Sequence, residues 1–340
     1  FMALNRNKKS LVIDLKSERG VDIIKTLVDK CDVVVENFRP GVMDQLGLGY
    51  DTLSAINPRL VMCSISGFGQ YGPLRDTPSF DIVTQAYSGA MSVNGEADRP
   101  PVKLGLPFGD MAGGIFGAPA ILAALHERGV TGRGRHIDIS LMDGLMGTLG
   151  YLAQSYLVTG KSPQRVGSSH PSVAPYGAYP SSDGHIIVAC LTDGFWHNFA
   201  GALGREDLLQ DPRFSDYAAR ISHQLELDEI INAIMRTRTM QQWGDILTTH
   251  DVPHAPILEI SDALEHPHTV ARGMVETVTH PSAGEMRLVG RPIKFSGAPQ
   301  APLQPPPMLA ANTREVLRSL LDFDADELDQ LTASGVIDRT

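Results

Sequence analysis

Cysteine is scarce: Cys31, Cys63 and Cys190 are the three in 340 residues, far apart in sequence. They form no C-x-x-C pair and no disulfide framework, which fits a reducing compartment and leads us to expect a cytoplasmic protein. Basic runs are missing too. No more than two Lys or Arg stand together, and 29 of them face 39 Asp and Glu for a net charge of −10, which excludes a general nucleic-acid binder. No apolar stretch approaches about 18 uninterrupted residues, so no membrane span is expected. There is no G-x-S-x-G elbow and no G-x-x-x-x-G-K-[ST] loop.

What is present is ordinary globular material, 42% hydrophobic and 20% charged. At about 150 residues per domain, the length predicts two domains. The chain opens Phe1-Met-Ala-Leu, neither a signal peptide nor a usual start, so it is expected to begin inside a longer protein. Residues 11–15, 32–36 and 60–66 read as strands, with an amphipathic helix over 18–30 and a short one over 50–56. That rhythm predicts an α/β domain with an open parallel sheet covered by helices. Two long apolar helices, 111–127 and 141–159, flank a strand at 136–140. Near Gly167 the texture changes to a Ser/Pro-rich loop, 168–175. A hairpin (176–179 with 185–190), several helices and a strand pair within 274–289 then predict a smaller α+β domain. Residues 302–307 form a Pro-rich linker and 313–331 return to helix. The expected division is 1–166 large, 167–300 small with its linkers, and 301–340 returning to the large domain.

Gly67-Phe-Gly-Gln-Tyr-Gly72 matches G-x-G-x-x-G after a strand, but Pro73 and Pro78 follow and no helix opens to carry a pyrophosphate. A glycine turn is expected. Asp262, His266 and His268 do not make a metal site, because Pro267 ends any helix that would align them; no metal is expected. The most informative stretch runs from Gly105 to Gly117. Asp110 precedes an apolar helix, where it can act as an N-cap, as a nucleophile, or as both. Gly109, Gly113, Gly114 and Gly117 weaken the first two turns, which makes sense if a ligand or another backbone approaches closely. At a helix N-terminus the Asp110 carboxylate is expected to be ionised, with its pKa biased downward. Lys16, Asn37, Phe38 and Arg39 follow predicted strands, and ligands of open α/β sheets bind at such C-terminal ends.

Five segments in order, Asn5-Arg-Asn-Lys-Lys-Ser10, Val35-Glu-Asn-Phe-Arg-Pro-Gly41, Ser64-Ile-Ser-Gly-Phe-Gly69, Gly109-Asp-Met-Ala-Gly-Gly114 and Thr131-Gly-Arg-Gly134, resemble the class III CoA-transferase family. Formyl-CoA, succinyl-CoA–glutarate and carnitine CoA-transferases belong to it, and α-methylacyl-CoA racemases are related. Gly167-Ser-Ser-His-Pro-Ser-Val-Ala-Pro-Tyr176, Asp183-Gly184 and Asn312-Thr313 extend the likeness over essentially the whole chain. The resemblance implies a Rossmann-like large domain, a small domain and an interlocked homodimer. It implies that Asp110 is the nucleophile, attacking an acyl-CoA and passing CoA through a covalent aspartyl intermediate to a carboxylate acceptor. CoA enters as a substrate, with no permanently bound cofactor. The CoA contacts map onto Ile13, Lys16, Asn37 and Phe38, with Gly109 letting main-chain groups approach the thioester.

Four departures accompany the likeness. Formyl-CoA transferases carry an Arg for the CoA phosphates where this chain has Gln45, and Arg39 is expected to substitute. Their Lys and Tyr near the acyl site correspond to Pro78 and Phe80. Their glycine tetrad is replaced by Ser168-Ser-His-Pro171, so Ser169 and His170 are expected to donate hydrogen bonds to a small di- or hydroxy-carboxylate. The family's first strand–helix unit has no counterpart before Phe1, so either the chain or its adenine pocket is expected to be incomplete. The racemase alternative needs a His where Phe80 stands, and a phenylalanine accepts no proton. A non-catalytic CoA-binding protein is the remaining alternative, disfavoured by the intact Asp110 motif.

Overall fold

The β-rich runs of the first third pair as their alternation with helices predicts. In the computed structural model, which describes residues 1–299 and 301–338, β1 (Val33–Glu36), β2 (Val61–Ser66) and β3 (His136–Ser140) form a parallel sheet in the order β1-β2-β3. The central strand β2 is buried over Val61, Met62, Cys63 and Ser64, as a strand covered on both faces must be. Ser17 caps the helix Glu18–Lys30 by accepting the Gly20 N–H, and Val28 of that helix packs with Leu48, Leu53, Leu60 and Met62. The helix Phe108–Thr131 sits in the crossover from β2 to β3 and packs on both strands.

Two compact units form. One comprises Phe1–Ala90, Leu104–Ala153 and His266–Thr340; the other comprises Met91–Lys103 and Gln154–Glu265. Residues 154–166 thus group with the second unit and 266–299 with the first, whereas the sequence reading sets its bounds at 166 and 300. The second unit has an antiparallel sheet of β4 (Tyr176–Pro180), β5 (His185–Ala189) and β6 (His254–Pro256). Its core centres on Trp196, Phe199, Phe214, Ile231 and Trp243. In the first unit β7 (Val275–His280) and β8 (Gly284–Val289) make a separate hairpin.

Three expectations are corrected. Residues 11–15 make no strand: Ile13 forms an isolated antiparallel bridge with Ile337, and Val12 N–H is taken by Thr313 Oγ1 at 3.1 Å. Their β-rich pattern is spent on the C-terminal helices instead of the sheet. The 141–159 helix divides into Leu141–Thr148 and Tyr151–Thr159, broken where Gly150 takes a positive φ. The helix Phe108–Thr131 is, among the described residues, one long and apolar enough to cross a membrane. Glycines interrupt its apolar runs without making it polar, which is why counting runs did not mark it. Its face of Gly109, Ala112, Gly113 and Gly117 is buried inside the first unit.

Candidate active site

Asp110 is the third residue of the helix Phe108–Thr131, whose N-cap position is Pro107. It is therefore not the cap, and that reading of Asp110 is corrected. Pro107 makes no side-chain cap hydrogen bond, so the first turn needs a capping group from elsewhere. The helix Asp81–Tyr87 supplies it. Asp81 Oδ1 accepts the N–H of Gly109 at 2.8 Å and of Asp110 at 3.3 Å, while Oδ2 accepts Gln85 Nε2 at 2.6 Å. Gln85 Oε1 in turn accepts the Leu104 N–H at 2.8 Å, tying down the approach to the helix.

Close packing explains part of the glycine content. A Cβ on Gly109 would stand 2.8 Å from Thr84 Oγ1 and 2.9 Å from Asp81 Oδ1, and one on Gly113 would stand 2.7 Å from Leu141 Cδ2. The crowding comes from neighbouring side chains, whereas the sequence reading had looked to a ligand or a second backbone. Gly114 has open space beside it.

The Asp110 carboxylate remains exposed and accepts no hydrogen bond from any described residue. Its pKa is raised, first by desolvation and second by the charge of Asp81. The expected downward bias is overturned, because the helix N–H groups that would have stabilised the anion are already satisfied by Asp81. An anion that is less stabilised by its surroundings is the better nucleophile.

A cleft of about 510 Å³ brings Asp110 together with Asn37, Phe38 and Arg39, and with Gln45, Arg75, Phe80 and Asp81. Two bonds fix the turn after β1 that carries the first three. Asn37 Nδ2 donates to Ile65 O at 2.5 Å, and the Phe38 N–H donates to Glu36 Oε2 at 2.8 Å. Lys16 lies in an adjoining open groove of about 520 Å³ with Lys25, and Gln45 lines both hollows. Ile13 lines neither; its side chain packs beside Ile23, Leu317, Leu328 and Ile337. Gly109 is buried behind Asp110.

Ser169 and His170 belong to the second unit. Ser169 borders a polar hollow of about 310 Å³ with Tyr179 and Asp228. His170 Nδ1 accepts the Ser172 N–H at 3.1 Å, so in the neutral ring the proton sits on Nε2. Burial pushes the Asp228 carboxyl up, against the Tyr179 hydroxyl that donates to it at 2.9 Å. Two residues were missed in the sequence, Asp81 and Arg75. A proline at the cap position, unable to cap, was the available signal for Asp81.

Residues 1–313 match the family described as CoA-transferase family III. The chain is 32% identical to the mouse (Mus musculus) succinyl-CoA:glutarate CoA-transferase, covering 100% of this chain and 78% of that protein. It is 36% identical to the succinyl-CoA–D-citramalate CoA-transferase of Chloroflexus aurantiacus, covering 98% and 83%. Among solved structures, a CAIB/BAIF family protein from Brucella suis superposes with a TM-score of 0.84 at 36% identity, over 94% of this chain and 83% of that one.

Proposed function

The chain belongs to CoA-transferase family III, and from that premise we propose that it moves CoA from an acyl-CoA to a small di- or hydroxy-carboxylate through a covalent intermediate on Asp110. One observation carries the proposal: a carboxylate with no hydrogen-bond partner among the described residues, its helix capped by another residue, lining the same cleft as Asn37, Phe38 and Arg39. An Asp kept only for structure would be spent on the helix; this one is not.

Asp110 attacks the acyl carbonyl carbon, expelling CoA thiolate and leaving an acyl–aspartyl anhydride. The thiolate then attacks the aspartyl carbonyl, releasing the donor carboxylate and forming an aspartyl-CoA thioester. The acceptor carboxylate displaces the thiolate to give a second anhydride. Attack of the thiolate on the acceptor's acyl carbon yields the new acyl-CoA and restores Asp110. Each step exchanges activated acyl groups of similar energy, which is the benefit of covalent catalysis here.

Asn37, Phe38 and Arg39 bind the CoA portion beside the nucleophile, with Lys16 farther along it, whereas the packing of Ile13 beside Ile23 and Leu317 and the burial of Gly109 leave them no direct contact to make. Ser169 and His170 recognise the acceptor carboxylate. The relatives' names support a dicarboxylate on one side of the exchange. Self-association belongs to the proposal, supported by Ile115, Leu122, Val130 and Met146, apolar side chains left exposed in a single chain. The three free thiols support a cytoplasmic setting.

Succinyl-CoA alone tests the mechanism, because the first half-reaction needs no acceptor. Hydroxylamine added afterwards should convert the anhydride or thioester to a hydroxamate on the peptide bearing residue 110, visible by mass spectrometry. An unmodified peptide from enzyme that turns over would overturn the covalent route.

A further inference from the structure

Formyl-CoA transferases carry cations at two positions where this chain is neutral, an Arg for the CoA phosphates at Gln45 and a Lys near the acyl site at Pro78. Both omissions fall on or beside the Asp110 cleft, since Gln45 lines it and Thr77 and Ser79 flank Pro78 along its wall. An acyl-CoA brings several negative charges to such a site, and removing two cations without replacement would weaken it severely. Arg39 supplies one charge. The cleft holds one more arginine, Arg75, which comes from the turn after Gly72 and matches neither lost position.

Arg75 is held for a purpose its protein contacts do not exhaust. Its Nε donates to Gln70 O at 2.8 Å and its Nη1 to Asp76 Oδ1 at 2.9 Å. Nη2 donates to no described residue. That nitrogen lies over Gly41, where a Cβ would approach it to 3.3 Å, and Gly41 has φ +85, a conformation that side chains resist. The guanidinium is thereby laid against the turn Asn37–Gly41, the same turn that presents Asn37, Phe38 and Arg39. Its side chain is 37% exposed, so it is neither buried in the fold nor loose in solvent. The Asp76 carboxylate that pairs with it is 80% exposed, and an exposed pair of that kind is readily exchanged for a stronger partner.

We propose that Arg75 is a phosphate-binding residue for the CoA substrate, its free Nη2 and its Nη1 forming a fork on a phosphoryl oxygen pair, beside Arg39 and in place of the arginine absent at Gln45. This rests on the CoA-transferase reading above. The guanidinium fits better than an ammonium would, because the Gln70 carbonyl fixes its plane before the ligand arrives. The anionic chemistry it recognises has two sources in an acyl-CoA, the phosphates and the free carboxylate of a dicarboxylyl group. Its place against the Asn37–Gly41 turn favours the phosphates.

The test compares wild type, Arg75→Met and Arg75→Lys. Calorimetric titration with free CoA should show affinity falling about ten- to a hundred-fold in the Met variant, and less in the Lys variant, which keeps charge without the fork. The kcat/KM for succinyl-CoA and acetyl-CoA should fall by the same factor, while that for succinyl-pantetheine, which has no phosphate, should not move. A loss confined to succinyl-CoA would assign Arg75 to the acyl carboxylate and overturn the proposal, as would an equal loss with the pantetheine thioester. Unchanged CoA affinity in both variants would overturn it while leaving the transferase reading intact. Wild type that fails to bind CoA would remove the reading and the proposal together. If the Met variant does not hold its thermal midpoint, the Lys variant decides alone by the same criteria.

Discussion

The helix N-terminus at Asp110 and the loop of Ser169 and His170 solve opposite problems. At the helix, the Gly109 and Asp110 N–H groups are directed to Asp81, and the Asp110 carboxylate is left unsatisfied. In the loop the polar groups are spent on holding the loop itself. His170 Nδ1 takes the Ser172 N–H, Tyr217 donates to Ser172 O, and the buried Arg220 donates to Ala174 O at 2.9 Å. A group that must form and break bonds is kept reactive by withholding partners from it. A group that must recognise a shape is kept in place by spending some of its own. Removing a side chain should therefore affect the two regions differently.

Asp110→Asn should produce the largest effect, lowering exchange by at least about 10³-fold with the fold intact. It should also stabilise the protein slightly at neutral pH. A carboxyl whose folded-state pKa is raised favours folding while protonated, and that contribution is lost as pH rises through the folded value. The Asn variant carries no such penalty. Thermal midpoints of variant and wild type should differ near pH 7 and converge below the ordinary carboxylate range. A folded Asn variant that retains exchange would end the claim that the two regions differ in kind.

In the loop, His170→Ala should raise the KM for the carboxylate acceptor about two- to ten-fold, the value of one ordinary hydrogen bond. The hydroxamate yield from succinyl-CoA alone should stay constant. An equal fall in both half-reactions would show that the loop serves the chemistry, and the comparison would fail.

The smallest effect is expected from Asp81→Asn, which keeps an oxygen for the Gly109 and Asp110 N–H groups but removes the charge. Asp110 should then titrate lower, and the acid limb of the kcat/KM profile should move to lower pH. The move should be partial, because desolvation, the larger cause of the raised pKa, is untouched. A limb that moves upward would mean that Asp81 stabilises the Asp110 anion instead of opposing it.

Much of this molecule is written locally. The strands at 33–36, 61–66 and 136–140 and the helix at 18–30 follow from hydrophobic period, because each buries one face against a neighbour the same pattern creates. The motif around Asp110 was legible too, as a carboxylate among glycines that helix propensity alone does not favour. Residues 11–15 were misread because β-propensity does not say whether a strand finds a sheet; here the partner was Ile337, at the far end of the chain. Asp81 and Arg75 escaped notice for a related reason. Each is an ordinary surface residue in sequence and gains its role from contacts with a distant segment.

The sequence by itself determined the family, the parallel sheet and the identity of the carboxylate on which the chemistry is proposed to turn, because residue types and spacing encode these directly. Only the tertiary structure decided that Asp110 is not the cap, that its pKa is raised, and that Arg75 lies against Gly41. Those outcomes depend on which donor reaches which acceptor first. Asp81, 28 residues from the Gly109 N–H it accepts, occupies the site that Asp110 would otherwise have used on itself.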